Sequence, residues 1–303
     1  MQLTSRLLKE FDQVVVYGAK GWIGRSAVDI LFAEEPDLKE NQILLIGSKT
    51  EMSHIANLPL NIYSAIEGSK LMRNRVLFLN AAYLRREKLT GMGLVDYEKT
   101  NNEIIRFGIE LIKSGRIKTF INLSSGVASQ GSIENLEQIL DPYAKSKILG
   151  EALFADACNS VLTQLVNCRI YSMSGKYVNE FSNLALTNFI AQANSDSKVI
   201  KVKSPSTLRT YVDSVDLVKV LLELSLKGEN CKIDSGGELI ALENLALSVS
   251  ELTNVSKIEI PISFEKSPDY FGNYLEFNKL AKDLGVELKD IHEQTIETMK
   301  AFL

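Results

Sequence analysis

Short apolar runs alternate with longer amphipathic stretches through the first half of the chain. The runs Val14–Tyr17, Ile43–Ile46 and Val76–Leu79 are apolar throughout or nearly so, and Thr119–Leu123 and Thr163–Ile170 are strand-like with polar residues interspersed, which predicts strands buried on both faces. Residues 22–34, 95–115 and 142–160 lie between them and predict helices. In 95–115, Ile104, Ile105, Ile109, Leu111 and Ile112 form the stripe of a half-buried helix. Strands without alternation, separated by helices, predict a parallel sheet covered on both sides, an α/β doubly wound architecture. Beyond about Ser172 the pattern loosens. Segments 182–194, 213–227, 241–251 and 289–302 predict helices, and Val199–Val202 and Lys257–Ile260 short strands. The expected organisation is a first domain over 1–172, its sheet completed by later segments, and a smaller mixed lobe over 173–303.

Bulk properties narrow the classes. At 303 residues, 45% of them hydrophobic, the chain can bury a sizeable core. A formal net charge of −4, with Lys and Arg scattered, argues against a nucleic-acid surface. Three separated cysteines, Cys158, Cys168 and Cys231, and two histidines, His54 and His292, give neither a disulfide framework nor metal-ligand spacing. No apolar run approaches the length of a membrane span, and no signal-peptide core opens the chain. The expectation is a cytoplasmic protein with no metal and no membrane.

The first apolar run empties into Gly18, Gly21 and Gly24, spaced G-x-x-G-x-x-G, with Lys20, Trp22 and Ile23 inside the turn. A dinucleotide pyrophosphate needs backbone N–H groups at close range and the positive end of a helix dipole, and side chains there would block its approach. An ordinary strand–helix turn is the alternative. The second run ends in Gly47-Ser48-Lys49, and no carboxylate follows until Glu51. An acid at this strand end would bond the adenosine ribose of NAD, whereas a hydroxyl and an ammonium suit the 2′-phosphate of NADP, with Lys20 as a second cation. NADP(H) is therefore favoured over NAD(H), the alternative being that both lysines are only solvated.

Tyr143 and Lys147 stand one turn apart in a helix opened by Asp141-Pro142. An ammonium beside a phenol favours the phenolate and makes the tyrosine usable as an acid or base; a surface pair is the alternative. Ser124 and Ser125 follow a strand at what would be the ligand-binding end of a parallel sheet, although Ser-Ser-Gly is also ordinary turn chemistry.

Taken together, these motifs resemble the extended short-chain dehydrogenase/reductase family, in its NAD(P)-dependent sugar-nucleotide epimerase/dehydratase branch, over nearly the whole chain. The resemblance is carried by Gly18–Gly24, Leu79-Asn-Ala-Ala82, Asn101, Leu123-Ser-Ser-Gly126, Asp141-Pro-Tyr-Ala-Lys-Ser-Lys147, Cys168-Arg-Ile-Tyr171 and Leu208–Asp216. It implies a Rossmann-type fold. It also implies Ser125, Tyr143, Lys147 and Asn101 as the catalytic set, with Lys147 and Tyr143 also touching the cofactor beside Ala81 and Ala82. Arg209, Ser125 and Tyr83 become the substrate contacts, Arg209 on a nucleotide diphosphate; an ion pair with Asp213 or Asp216 is the competing role for Arg209. A nucleotide-sugar substrate and a homodimer through 95–115 and 142–160 are implied as well.

Three activities fit these residues. The first is an NADP(H)-dependent reductase of a nucleotide-linked 4-keto-6-deoxy sugar, acting at C4. The second is an NAD-dependent nucleotide-sugar 4-epimerase, and the third a non-enzymatic dinucleotide sensor. Gly126-Val127 after Ser125 supply no acid–base pair for expelling water, which disfavours a dehydratase, and the presence of both Tyr143 and Lys147 ranks the sensor last.

Overall fold

The structure, a computed structural model, describes residues 2–33, 41–84, 86, 88–178, 184–255, 257–262 and 266–302. In chain order it begins α1 (Leu3–Glu10), β1 (Gln13–Tyr17), α2 (Trp22–Ala33), β2 (Ile43–Gly47), β3 (Glu51–Ile55), β4 (Leu58–Ser64), α3 (Ala65–Leu71) and β5 (Val76–Asn80). It continues α4 (Lys88–Met92), α5 (Leu94–Lys113), β6 (Ile117–Ser125), α6 (Pro142–Val161) and β7 (Gln164–Ile170). Then follow β8 (Ser172–Ser174), α7 (Ala185–Ala193), β9 (Val199–Lys201), β10 (Leu208–Asp213), α8 (Ser214–Ser225) and β11 (Cys231–Asp234). The last elements are β12 (Glu238–Ala241), α9 (Leu242–Thr253), β13 (Lys257–Glu259), α10 (Tyr274–Asp283) and α11 (Ile291–Met299). Residue 34 of the expected 22–34 helix and residues 182–183 of the expected 182–194 helix lie outside the described residues. Among the described residues no helix is long and apolar enough to cross a membrane.

The chain divides into two units, one of residues 1–169 and 221–233, the other of residues 170–220 and 234–303. The first holds a sheet in the order β11-β7-β6-β5-β1-β2-β4-β3. β1 pairs in parallel with β2 on one side and β5 on the other, and β5 pairs in parallel with β6. Every residue of β1 and β5 is buried, as strands covered on both faces require. Successive connections run outward in opposite directions from β1, so the carboxyl ends of β1 and β5 flank the topological switch point of a doubly wound sheet.

β3 and β4, which the apolar runs do not predict, form an antiparallel hairpin with Ile55 opposite Leu58. Its two turn residues, Ala56 and Asn57, both have positive φ, 50° and 65°. That geometry belongs to a type I′ turn, which matches strand twist. The pair Ala-Asn lacks the glycine that usually announces such a turn.

On one face of this sheet, side chains lie in rows. Phe78 and Phe120 are register partners and stack with centroids 5.3 Å apart, and Phe154 of α6 closes on Phe120 at 4.8 Å. One row further along, Asn80 and Asn122 are register partners, and Asn122 donates to Asn167 at 2.6 Å. Beyond them Ser124 donates to Glu151 at 2.6 Å, and Glu151 forms a two-pronged pair with Arg169, both contacts 2.8 Å. α6 therefore lays Lys147, Glu151 and Phe154, one turn apart, along this sheet face. It starts where the sequence predicts: Asp141 caps it by accepting from the Tyr143 backbone at 3.1 Å, with Pro142 in the first turn.

The second unit contains a three-stranded sheet, β12-β10-β8, and the two-stranded pair β13-β9. Leu186, Phe189 and Ile190 of α7 and Leu245 and Val249 of α9 pack with Tyr211 as its core.

Candidate active site

Gly18 leaves β1 with φ +89°, a conformation costly for residues with a side chain. A Cβ on Gly18 would lie 2.7 Å from the Ala81 carbonyl carbon and oxygen and 2.9 Å from the Ala82 nitrogen, and one on Gly24 would strike the Gly18 oxygen. The turn closes on itself through Gly21 N–H donating to the Gly18 oxygen at 2.9 Å. α2 then begins at Trp22, with Ile23 beside it, both half-buried. The segments leaving β1 and β5 are thus in bare backbone contact, beside the N-terminal end of α2. This cradle, which a Cβ would fill, fits a dinucleotide pyrophosphate.

At the end of β2, Ser48 and Lys49 are exposed. Lys20 and Lys49 both pair with Glu51, Lys49 at 3.0 Å, and their hydrogen bonds hold its carboxyl below the usual range. The sequence brings Lys20 and Lys49 together as cations and notes Glu51 only as the first carboxylate beyond them. The alternation along β3, which shows only once the hairpin is recognised, is the signal that turns its side chain back to them.

Ser125 ends β6, buried. Neighbouring strand residues point to opposite faces, and it is Ser124 that bonds α6 through Glu151. On α6, Lys147 is only 4% exposed. Its ammonium donates to the Leu123 carbonyl at 2.9 Å and lies 5.6 Å from the centre of the Tyr143 ring. Burial pushes the Lys147 ammonium well below the usual lysine value, the Glu151 charge acting the other way. Arg86, which the sequence does not single out, sits 5.6 Å from the same Tyr143 ring centre and pairs with the helix cap Asp141.

Asn101 is fully buried on α5. Its Oδ1 accepts from the Leu84 backbone at 3.1 Å, and its Nδ2 has no partner. Tyr97, one turn earlier, donates to the Leu84 carbonyl at 3.2 Å. Asn101 thus braces the segment after β5. Tyr83, expected to touch substrate, has a different neighbourhood. Its ring lies under Lys147 with the ammonium 3.3 Å from the centroid, and its hydroxyl is buried without a partner, pressed on Gly150, where a Cβ would collide with it.

In the second unit, Arg209 on β10 donates to the Pro268 carbonyl at 3.0 Å and lies 5.4 Å from the centre of the Tyr270 ring. The ion pair considered from sequence is not made: Asp213 and Asp216 are held by Lys289, at 3.3 and 2.7 Å.

The family model of the NAD dependent epimerase/dehydratase family matches residues 14–233. No curated protein matches the chain. Among solved structures, the chain is similar to the UDP-N-acetylglucosamine 4-epimerase of Methanobrevibacter ruminantium M1, with a TM-score of 0.71 and 18% identity over 96% of this chain and 97% of that one. It is similar also to the UDP-glucose 4-epimerase of Thermotoga maritima, at 0.71 and 19% over 96% and 98%. A third is the dTDP-glucose 4,6-dehydratase of Streptomyces venezuelae, crystallised with NAD, at 0.67 and 15% over 96% of each chain. At these identities the likeness shows the fold.

Proposed function

The chain belongs to the NAD dependent epimerase/dehydratase family, and from that premise we propose that it is an NADP(H)-dependent oxidoreductase reducing a nucleotide-linked 4-keto-6-deoxy sugar at C4. The observation that carries the reading is the Tyr143–Lys147 pair on α6, with the buried Lys147 ammonium 5.6 Å from the centre of the phenol ring, on the helix that packs over the strand ending in Ser125.

Gly18, Gly21, Gly24, Ala81 and Ala82 would hold the dinucleotide, with Lys20, Ser48 and Lys49 toward its 2′-phosphate. When bound, the cofactor supplies the hydride. Tyr143 gives its proton to the sugar oxygen, and the Lys147 charge favours the phenolate left behind. Ser125 orients that oxygen by hydrogen bonding, and Lys147 would also hold the nicotinamide ribose of the bound cofactor. Asn101 keeps the segment beside the site in place through Leu84. Arg209 is suited to a diphosphate by its planar fork of donors.

One observation favours a second reading. Glu51 sits against both lysines, and a carboxylate there can accept from the ribose hydroxyl of NAD, as an NAD-dependent 4-epimerase would need. The test offers NADPH with a panel of nucleotide 4-keto-6-deoxyhexoses and nucleotide hexoses. Stoichiometric loss of the reduced nicotinamide absorbance with a keto sugar supports the reductase. Interconversion of two hexose isomers without net loss would establish the epimerase. In either case Tyr143→Phe should lower turnover by about 10²–10⁴-fold while cofactor binding persists; near-normal turnover would overturn the role of Tyr143.

A further inference from the structure

We propose that Tyr83 is the positioning residue for Lys147, its ring face standing in for a counter-charge that holds the buried ammonium in place. The inference rests on reading Lys147 as the contact to the nicotinamide ribose.

A charge taken out of water needs a partner, and among the described residues no carboxylate forms an ion pair with Lys147. Glu151, one turn along α6, is committed to Ser124, Arg169 and Lys232. The Lys147 ammonium has the Leu123 carbonyl at 2.9 Å and the Tyr83 ring at 3.3 Å. The negative face of an aromatic ring attracts a cation most strongly where water is excluded. Without the ring, burial would drive Lys147 further toward the neutral amine.

Tyr83 is also fixed in place. Tyr97 and Asn101 grip both sides of the next residue, bonding the Leu84 carbonyl and N–H. The Tyr83 hydroxyl makes no hydrogen bond, so it is the ring that has a task. Its far end fits only because α6 carries glycine at 150, a residue that weakens a helix interior. Among the described residues, the titratable and charged groups around Lys147 are Tyr143 and Glu151 on α6, Tyr83 beneath it, Arg86 near the Tyr143 ring, and Arg169 and Lys232 acting through Glu151.

The experiment measures NADPH affinity by nicotinamide fluorescence across pH in the full-length protein, for wild type, Tyr83→Phe, Tyr83→Leu and Lys147→Met. Wild type should lose affinity above a break where Lys147 gives up its proton. Tyr83→Phe keeps the ring and should keep the break. Tyr83→Leu should move the break down by about one pH unit, a tenfold change in the proton equilibrium, and leave affinity below it unchanged. Lys147→Met should show no break.

An unmoved break in Tyr83→Leu, or an equal loss of affinity at every pH, would overturn the proposal and leave Tyr83 a packing residue. A wild type without a break, or a break that persists in Lys147→Met, would instead overturn the assignment of Lys147 to the cofactor, and the proposal with it. If Tyr83→Leu does not fold, phenylalanines bearing one to three ring fluorines at position 83 keep the shape while draining the ring face. The break should then fall with each fluorine, and a constant break would refute the role of the ring.

Discussion

Single residues near one another in sequence were readable from sequence when their chemistry depends on local spacing. The Gly18–Gly24 turn and the Tyr143–Lys147 pair belong to this kind. Residues whose partner arrives from another element were not. Tyr83 enters from the resemblance as a substrate contact, and only the packing of α6 shows its hydroxyl against Gly150. Glu51 is the second example, and it bears on cofactor choice. A 2′-phosphate approaching Lys20 and Lys49 must displace the carboxylate already paired with both. Glu51→Gln removes that competitor without changing size. Charge-assisted contacts are about twice as strong as neutral ones, so NADPH affinity should rise by roughly tenfold, with NADH little changed, in a fluorescence titration of each. A loss of NADH affinity with no gain for NADPH would show that Glu51 serves the ribose hydroxyl instead.

At the scale of elements, continuous apolar runs located β1, β2 and β5 to within a few residues, because burial on both faces leaves an unbroken signal, and the more broken runs of β6 and β7 were still enough to place them. The β3–β4 hairpin escaped because one face is wet and its turn uses Ala56-Asn57. Short α1 escaped because the strong strand beside it dominates the pattern. The position of α6 was plain from Asp141-Pro142, yet what fastens it was not: Glu151 has to be matched with Arg169 on β7 and Lys232 on β11. Burial works against the Glu151 carboxylate, but the Arg169 and Ser124 hydrogen bonds outweigh it and hold the carboxyl below the usual value. A depressed native value means that its contribution to stability is present above the unfolded carboxyl value, near 4.5, and is lost as pH falls through the native one. Breaking a buried pair by removing one partner costs about 3–5 kcal/mol. Glu151→Gln should therefore lower the melting temperature at neutral pH and flatten the acid limb below about pH 4.5. Melting curves across pH for the two proteins test this, and parallel acid limbs would mean that other carboxylates control that limb.

On the scale of the molecule, the chain leaves the first unit after residue 169, returns at 221 and leaves again after 233. A division at 172 follows from the loosening of the apolar pattern, and β11 is too short, at Cys231–Asp234, to announce itself as the strand beside β7. The returning segment supplies more than a strand. Glu223 receives both prongs of Arg6 at 2.7 Å, the Leu224 and Glu229 carbonyls accept from Gln164 at 3.3 and 2.8 Å, and Lys232 reaches Glu151 at 3.2 Å. Gln164 is buried, so losing its acceptors leaves an unsatisfied amide, each such group costing about 1–3 kcal/mol. Together with the unpaired edge of β7 and the lost pairs, the total approaches the 5–15 kcal/mol that stabilises a typical domain. A fragment of residues 1–172 should therefore fail to melt cooperatively and should not bind NADPH, although it contains every glycine of the cofactor turn and both Tyr143 and Lys147. A fragment that keeps residues 1–169 joined by a short flexible linker to 221–233 should recover both properties. Calorimetry and fluorescence titration of the two fragments decide the point, and a cooperative, NADPH-binding 1–172 fragment would show that the returning segment is dispensable.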